Sequence, residues 1–166
     1  LAAQLRSIAL PAEILDLNYE ILKAMQTQES VNDEFWQLLI NRRIENMKSP
    51  FIGISMMFQV TFDIFRKISR YIRKTYPDLS ISVGGVHASA DKEKILHEGL
   101  ADFVFSHECE SSLRNFLLYA NEKADVEITN ISILGEDSQI VSAPMISGGE
   151  GDYDITREFE LLPIND

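Results

Sequence analysis

The chain alternates short unbroken apolar runs with stretches whose apolar residues recur at helical spacing, and this switching of period constrains its fold more than any other feature. A strand that faces solvent on one side alternates apolar with polar residues. A strand that stays apolar throughout is covered on both faces, as in a parallel sheet flanked by helices. Phe51-Ile52-Gly53-Ile54-Ser55-Met56, Leu79 to Val83 and Ala101 to Ser106 are such runs. Between the first two, Thr61 opens a helix whose Phe62, Phe65, Ile68, Ile72 and Tyr76 form one stripe, with Arg66, Lys67, Arg70, Arg73 and Lys74 on the wet side. Pro77 ends it. Asp91 starts a short helix that Gly99 closes, and Ser111 to Lys123 is a helix with Leu113, Phe116, Leu117 and Ala120 facing in. The pattern predicts an α/β fold, a doubly wound parallel sheet in three layers.

Around these repeats, Ala12 to Leu17 reads as a further strand, and Ser30 with Asp33 resembles a capping box. That box opens a helix through Phe35, Leu38, Leu39, Ile44 and Met47, which Pro50 stops. Ile128 to Leu134 and Gln139 to Ala143 alternate around Gly135-Glu136-Asp137-Ser138, which is hairpin chemistry. The expected organisation is an α/β domain over 1–127, a hairpin appendage over 128–143 and a linker over 144–166. The phrases at the two ends, an amphipathic Leu1-Ala2-Ala3-Gln4-Leu5-Arg6 without an initiator Met and a Pro-containing 160–166, suggest a piece of a longer protein.

Composition narrows the partners. With 15 Lys+Arg against 26 Asp+Glu, the net charge of -11 disfavours nucleic acid and anionic membranes, both of which need clustered cations. No apolar run is long enough to span a bilayer. The single Cys109 cannot form an internal disulfide, so a reducing cytoplasm is the expected compartment.

In a parallel sheet the ligand lies outside the carboxyl ends of the strands. That rule collects Ser55-Met56-Met57-Phe58-Gln59, Gly84-Gly85-Val86-His87 and Ser106-His107-Glu108-Cys109-Glu110. Two glycines at a strand end permit positive φ and close approach of a ligand to bare backbone, or else only a tight bend. No phosphate-cradling fingerprint occurs in the chain. His87, His97 and His107 stand ten apart, which is not zinc spacing, and no metal site is assigned. Glu108 and Glu110 suit the start of a helix, and they would raise the pKa of Cys109 between them, so no catalytic residue is assigned. Met56-Met57-Phe58 is either a soft floor for a large planar cofactor or core, and core fits burial habits better.

Taken in order, Leu1 to Leu5, Glu13 to Asn18, Ile52-Gly53-Ile54-Ser55, Ile81 to His87, Ala101 to Phe105 and His107-Glu108-Cys109-Glu110 resemble the cobalamin-binding domain that precedes the catalytic barrel of cobalamin-dependent radical S-adenosylmethionine enzymes. That family includes methyltransferases and the anaerobic cyclase acting on magnesium protoporphyrin ester. The resemblance implies a flavodoxin-like fold holding cobalamin at the carboxyl edge of its sheet, with the nucleotide tail threaded beside the strands. The residues it marks for the cofactor are Ser55, Met56, Gly84, Gly85, Val86, His87, Ser106, His107 and Glu108.

The chain departs from the family pattern in several places. His107 and Cys109 stand where the family carries glycines, and the Asp-x-His-x-x-Gly signature of cobalt-ligating proteins is absent, so no cobalt ligand is assigned. The family's first strand is also missing, which would leave a sheet edge open to self-association. One Cys cannot build an iron–sulfur site, so that cluster and S-adenosylmethionine would belong to a catalytic domain of the same parent chain. The implied function is a non-catalytic module that presents cobalamin to that domain for methyl transfer or cyclase chemistry. A receiver-like or interaction domain of the same fold ranks second, because the positions for a phosphoacceptor Asp and its Lys hold Ser55 and Ser106 or His107. A flavin or small-substrate enzyme ranks third for want of a phosphate loop.

Overall fold

The computed structural model describes residues 5, 7–107, 109–123 and 125–146. They fall into two compact units, one reaching to Lys48 and the other starting at Ser49. The first holds α1 (Leu17–Gln26) and α2 (Asp33–Asn46). The strand expected over Ala12 to Leu17 does not form: residues 11–16 have no regular structure and Leu17 begins a helix. The reason is local, since the Asp16 carboxylate accepts the Tyr19 N–H at 3.0 Å and caps the helix there. The cap of α2 is also corrected. Asn32, not Ser30, accepts the Phe35 N–H, at 3.1 Å.

The second unit is built on one five-stranded sheet in the order β1-β2-β3-β4-β5, where β1 is Phe51–Ser55, β2 Ser80–Gly84, β3 Phe103–Phe105, β4 Ile131–Leu134 and β5 Ile140–Ser142. β1, β2 and β3 are parallel, while β4 runs antiparallel to both β3 and β5. The hairpin expected near 128–143 therefore forms and continues the sheet beside β3. Connecting helices are α3 (Phe62–Thr75), entered through a 3-10 turn at Gln59–Thr61, then α4 (Val86–Ala90), α5 (Lys92–His97) and α6 (Glu110–Ala120). This is a flavodoxin-like α/β fold whose parallel strands follow the order of the last three in the 2-1-3-4-5 arrangement.

The register assigns every strand residue to a face, because paired residues share one. Phe51, Gly53, Ser55, Ser82, Gly84, Phe103, Phe105 and Ile131 lie on one face, and Ile52, Ile54, Ile81, Val83, Val104 and Ser132 on the other. α6 covers the first face: the Phe116 ring packs on Phe103 at 4.6 Å, on Phe51 at 5.7 Å and on Phe105 at 5.8 Å. Ile81, Val83 and Val104 are fully buried on the second face, where right-handed crossovers place α3, α4 and α5.

α3 buries Phe62, Phe65 and Ile72, each stabilising by about 2 kcal/mol. The Ser69 hydroxyl donates to the Leu100 carbonyl. Arg66 and Arg70 meet Glu98, and Arg73 meets Asp102 at 2.7 Å, tying the helix to the start of β3. Asp102 also accepts the Ile81 N–H at 2.7 Å, so one carboxylate aligns β2, β3 and α3.

Candidate functional site

The carboxyl ends of β1, β2 and β3 bring together Ser55, Gly84, Gly85, Ser106 and His107, as the sequence led us to expect. β1 and β2 run on past their last paired residues through a Met56 N–H to Gly84 carbonyl bond of 2.8 Å. Gly85 then turns the chain at φ +114, ψ 166, a conformation that only glycine adopts easily. A Cβ built there would stand 2.4 Å from the Met56 carbonyl oxygen. Gly85 is therefore required by backbone passing against backbone.

The face below this turn carries a trough. Gly53, Ser55, Ser82 and Gly84 lie side by side on β1 and β2, and none projects more than a hydroxymethyl group. Its lower end is closed by the Phe51, Phe103 and Phe116 rings. At its upper end the Cys109 sulfur stands 3.5 Å from where a Gly84 Cβ would be. Gly53 and Ser55 are exposed, so the trough is open on the β1 side. Burial first, and then the Glu110 carboxylate, raise the Cys109 pKa above its ordinary value. Both causes favour the protonated thiol.

Around the mouth the apolar residues divide sharply. Met56 is 1% exposed and belongs to the core, whereas Phe58 at 68%, Val60 at 87% and Val86 at 72% project into solvent with Met57. Of the step read as floor or core, Met56 turns into the core, while Met57 and Phe58 turn out to solvent. Of the histidines, His97 is exposed at the end of α5. His87 turns to its own side of the sheet, with Nε2 3.2 Å from Asp91 Oδ2 and its ring edge-on to Phe62 at 6.1 Å. Ser106 is buried, and its hydroxyl has no hydrogen-bond partner among the described residues. Glu108 lies outside the described residues.

His107 adopts φ +59, so the glycine place it occupies is a left-handed position here. Its N–H donates to the Ser89 hydroxyl at 3.3 Å, joining the loop after β3 to α4. His107→Gly is expected to stabilise the unit by about 1 kcal/mol and His107→Val to destabilise it, read from chemical denaturation midpoints.

Two contributors escaped sequence reasoning. Gly53 is central to the trough, and an isolated glycine inside a strand run is the available signal for close approach. Asn130, buried at φ +56, precedes β4 beside Ser106, whose N–H it accepts at 2.9 Å. Its side chain receives the Ile146 N–H at 2.7 Å and donates to the Ile146 carbonyl at 2.9 Å. Asn130 thus holds residues 144–146 at the same edge of the sheet as the trough mouth. Among the described residues no cluster of His, Cys, Asp and Glu is arranged to hold a metal ion, and no helix is long and apolar enough to cross a membrane.

Similar solved structures include the radical S-adenosylmethionine methyltransferase TsrM from Kitasatospora setae with cobalamin and a 4Fe-4S cluster bound, with a TM-score of 0.68 and 15% identity over 93% of this chain and 27% of that one. The same enzyme with tryptophan and an S-adenosylmethionine analogue gives a TM-score of 0.67 and 16% identity over 87% of this chain and 26% of that one. The apo form of OxsB, a cobalamin-dependent S-adenosylmethionine radical enzyme, gives 0.51 and 18% over 74% and 18%. At these identities the likeness is one of fold, and the chain spans about a quarter of the TsrM length. No curated protein sequence matches the chain. The sequence profile of the B12 binding domain matches residues 5–117, more than half of the chain, and the chain therefore belongs to the B12-binding domain family.

Proposed function

We propose that this domain is a non-catalytic carrier: it holds cobalamin at the carboxyl edge of its sheet and presents it to a radical S-adenosylmethionine domain of the same parent protein. The observation that carries this reading is the trough of Gly53, Ser55, Ser82 and Gly84, open on the β1 side just below the turn at Gly85. A slender, flat group such as the nucleotide tail needs a channel along a sheet without side chains in the way, and these residues provide one.

The rest of the edge fits the same cofactor. Met57, Phe58, Val60 and Val86 offer exposed apolar surface suited to the rim of a macrocycle, and a lone set of apolar side chains is otherwise costly in water. When bound, cobalamin supplies methyl-transfer and organometallic chemistry. The chain's own part is to bind and orient it. His87 is turned to Asp91 and is not assigned to cobalt. The radical domain is supported by the similarity to TsrM and OxsB structures, which are much longer chains.

Incubation with hydroxocobalamin followed by desalting tests the reading. Corrinoid absorbance should stay with the protein at close to one equivalent, and Gly53→Phe, which fills the trough at its exposed side, should reduce retention at least tenfold. Full release of corrinoid from the folded wild-type chain would overturn the proposal.

A further inference from the structure

At the carboxyl edge one hydroxyl spans the loops that follow β2 and β3. The Ser89 hydroxyl, on α4, donates to the Gly85 carbonyl at 3.2 Å and accepts the His107 N–H at 3.3 Å. A hydroxyl has one proton to give and lone pairs to receive with, so both bonds form at once and in one sense only. The proton goes to the Gly85 carbonyl, which can only accept, and the oxygen is left for His107. The Ser89 N–H reaches the same Gly85 carbonyl at 3.1 Å, which fixes α4 to the turn and the hydroxyl with it.

The loop after β3 is also held on its other side. Ser106 N–H donates to the Asn130 carbonyl at 2.9 Å, toward β4. The buried Ser106 hydroxyl adds no tie, having no partner among the described residues. Two successive N–H groups thus hang the loop between its neighbours, Ser106 on Asn130 and His107 on Ser89. His107 stands at φ +59, a left-handed conformation unfavourable for a residue with a Cβ, so ties rather than local preference keep the loop there.

We propose that Ser89 is a positioning residue for the corrinoid: its hydroxyl sets the spacing between the β2 turn at Gly85 and the loop after β3 at His107, which together frame the carboxyl edge. This rests on the carrier reading above. Ser89 needs no contact with the cofactor. It acts through Gly85 and through the loop that leads into α6 at Cys109, whose sulfur stands at the upper end of the trough.

Three variants of the full chain test this. Ser89→Ala removes both side-chain bonds, Ser89→Thr keeps the hydroxyl, and Ser69→Ala removes a buried hydroxyl that bonds the Leu100 carbonyl before the amino end of β3. Amide hydrogen exchange reads the tie without cofactor, and the rate at which hydroxocobalamin leaves the loaded protein reads its consequence. In Ser89→Ala the His107 amide should exchange, and the corrinoid should leave, about fivefold faster, the factor that one hydrogen bond of ordinary net strength supplies. The β1 and β2 amides should keep their protection. Ser89→Thr should restore both rates. Ser69→Ala should lower the urea midpoint and release corrinoid at the wild-type rate. Unchanged His107 exchange in Ser89→Ala, faster exchange with unchanged release, a threonine variant that behaves as alanine, or equally fast release from Ser69→Ala would each overturn the positioning role alone. A wild-type chain that retains no corrinoid would overturn the carrier reading and this role with it.

Discussion

Gly85→Ala is expected to destabilise the sheet unit by about 4 kcal/mol and to abolish retention of hydroxocobalamin. Two costs add. The backbone at φ +114, ψ 166 lies outside the regions open to alanine, a strain of roughly 1–3 kcal/mol. The new methyl would also stand 2.4 Å from the Met56 carbonyl oxygen and 2.8 Å from its carbon, so β1 and β2 must part at their carboxyl ends. Parting them breaks the Met56 N–H to Gly84 carbonyl bond and shifts Ser55 and Gly84, the upper floor of the trough. Gly84→Ala is the control. Its Cβ would meet Cys109 Sγ at 3.5 Å and Phe105 Cβ at 3.7 Å, both ordinary contacts, so it should fold with a loss near 1 kcal/mol. Urea denaturation of the two variants gives the comparison, and equal losses would refute the assignment of Gly85 as the constrained position.

The sheet core was legible because burial on two faces leaves a compositional mark. Ile81, Val83 and Val104 sit in continuous apolar runs, and all three are fully buried. The helix stripe of Phe62, Phe65 and Ile72 was legible by its period for the same reason. Residues 12–17 misled because Ile14, Leu15 and Leu17 are apolar at strand length, whereas the decisive group was Asp16, a helix cap in the middle of the phrase. Short apolar runs carry no information about which neighbour they will find.

The site was legible where backbone conformation demands a residue type. Gly84-Gly85 announced a turn, and the structure distinguishes the two: Gly85 needs its φ, whereas a Cβ at Gly84 would meet only ordinary contacts. Gly53 was not recognised because its place beside Ser82 depends on register across two strands. Met56 and Met57 are indistinguishable as residue types, and only their parity at the end of β1 sends one to the core and the other to solvent. His107 shows the converse: a histidine holds the left-handed backbone in a loop whose N–H is tied to the Ser89 hydroxyl, and nothing in the residue type announces it.

Asn130→Ala should cost about 3 kcal/mol, the largest loss expected from a polar residue of the unit. Asn130 is buried, and its side chain both donates to and accepts from the Ile146 backbone, while its main chain pairs with Ser106 and Pro144. Removing the side chain deletes two hydrogen bonds of roughly 1 kcal/mol each and leaves the Ile146 peptide groups to find other partners. Alanine is also penalised at φ +56, by roughly 1 kcal/mol. Asn130→Gly separates the contributions, since glycine accepts the backbone conformation and loses only the side-chain bonds; it should cost about 2 kcal/mol. The functional consequence follows from position. With the clamp gone, residues 144–146 are no longer held at the carboxyl edge beside Ser106, so amide hydrogen exchange at Ile146 should accelerate in both variants while the β1 and β2 amides keep their protection. Unchanged exchange at Ile146 in Asn130→Gly would show that the strand pairing alone fixes this segment and that the side chain is dispensable.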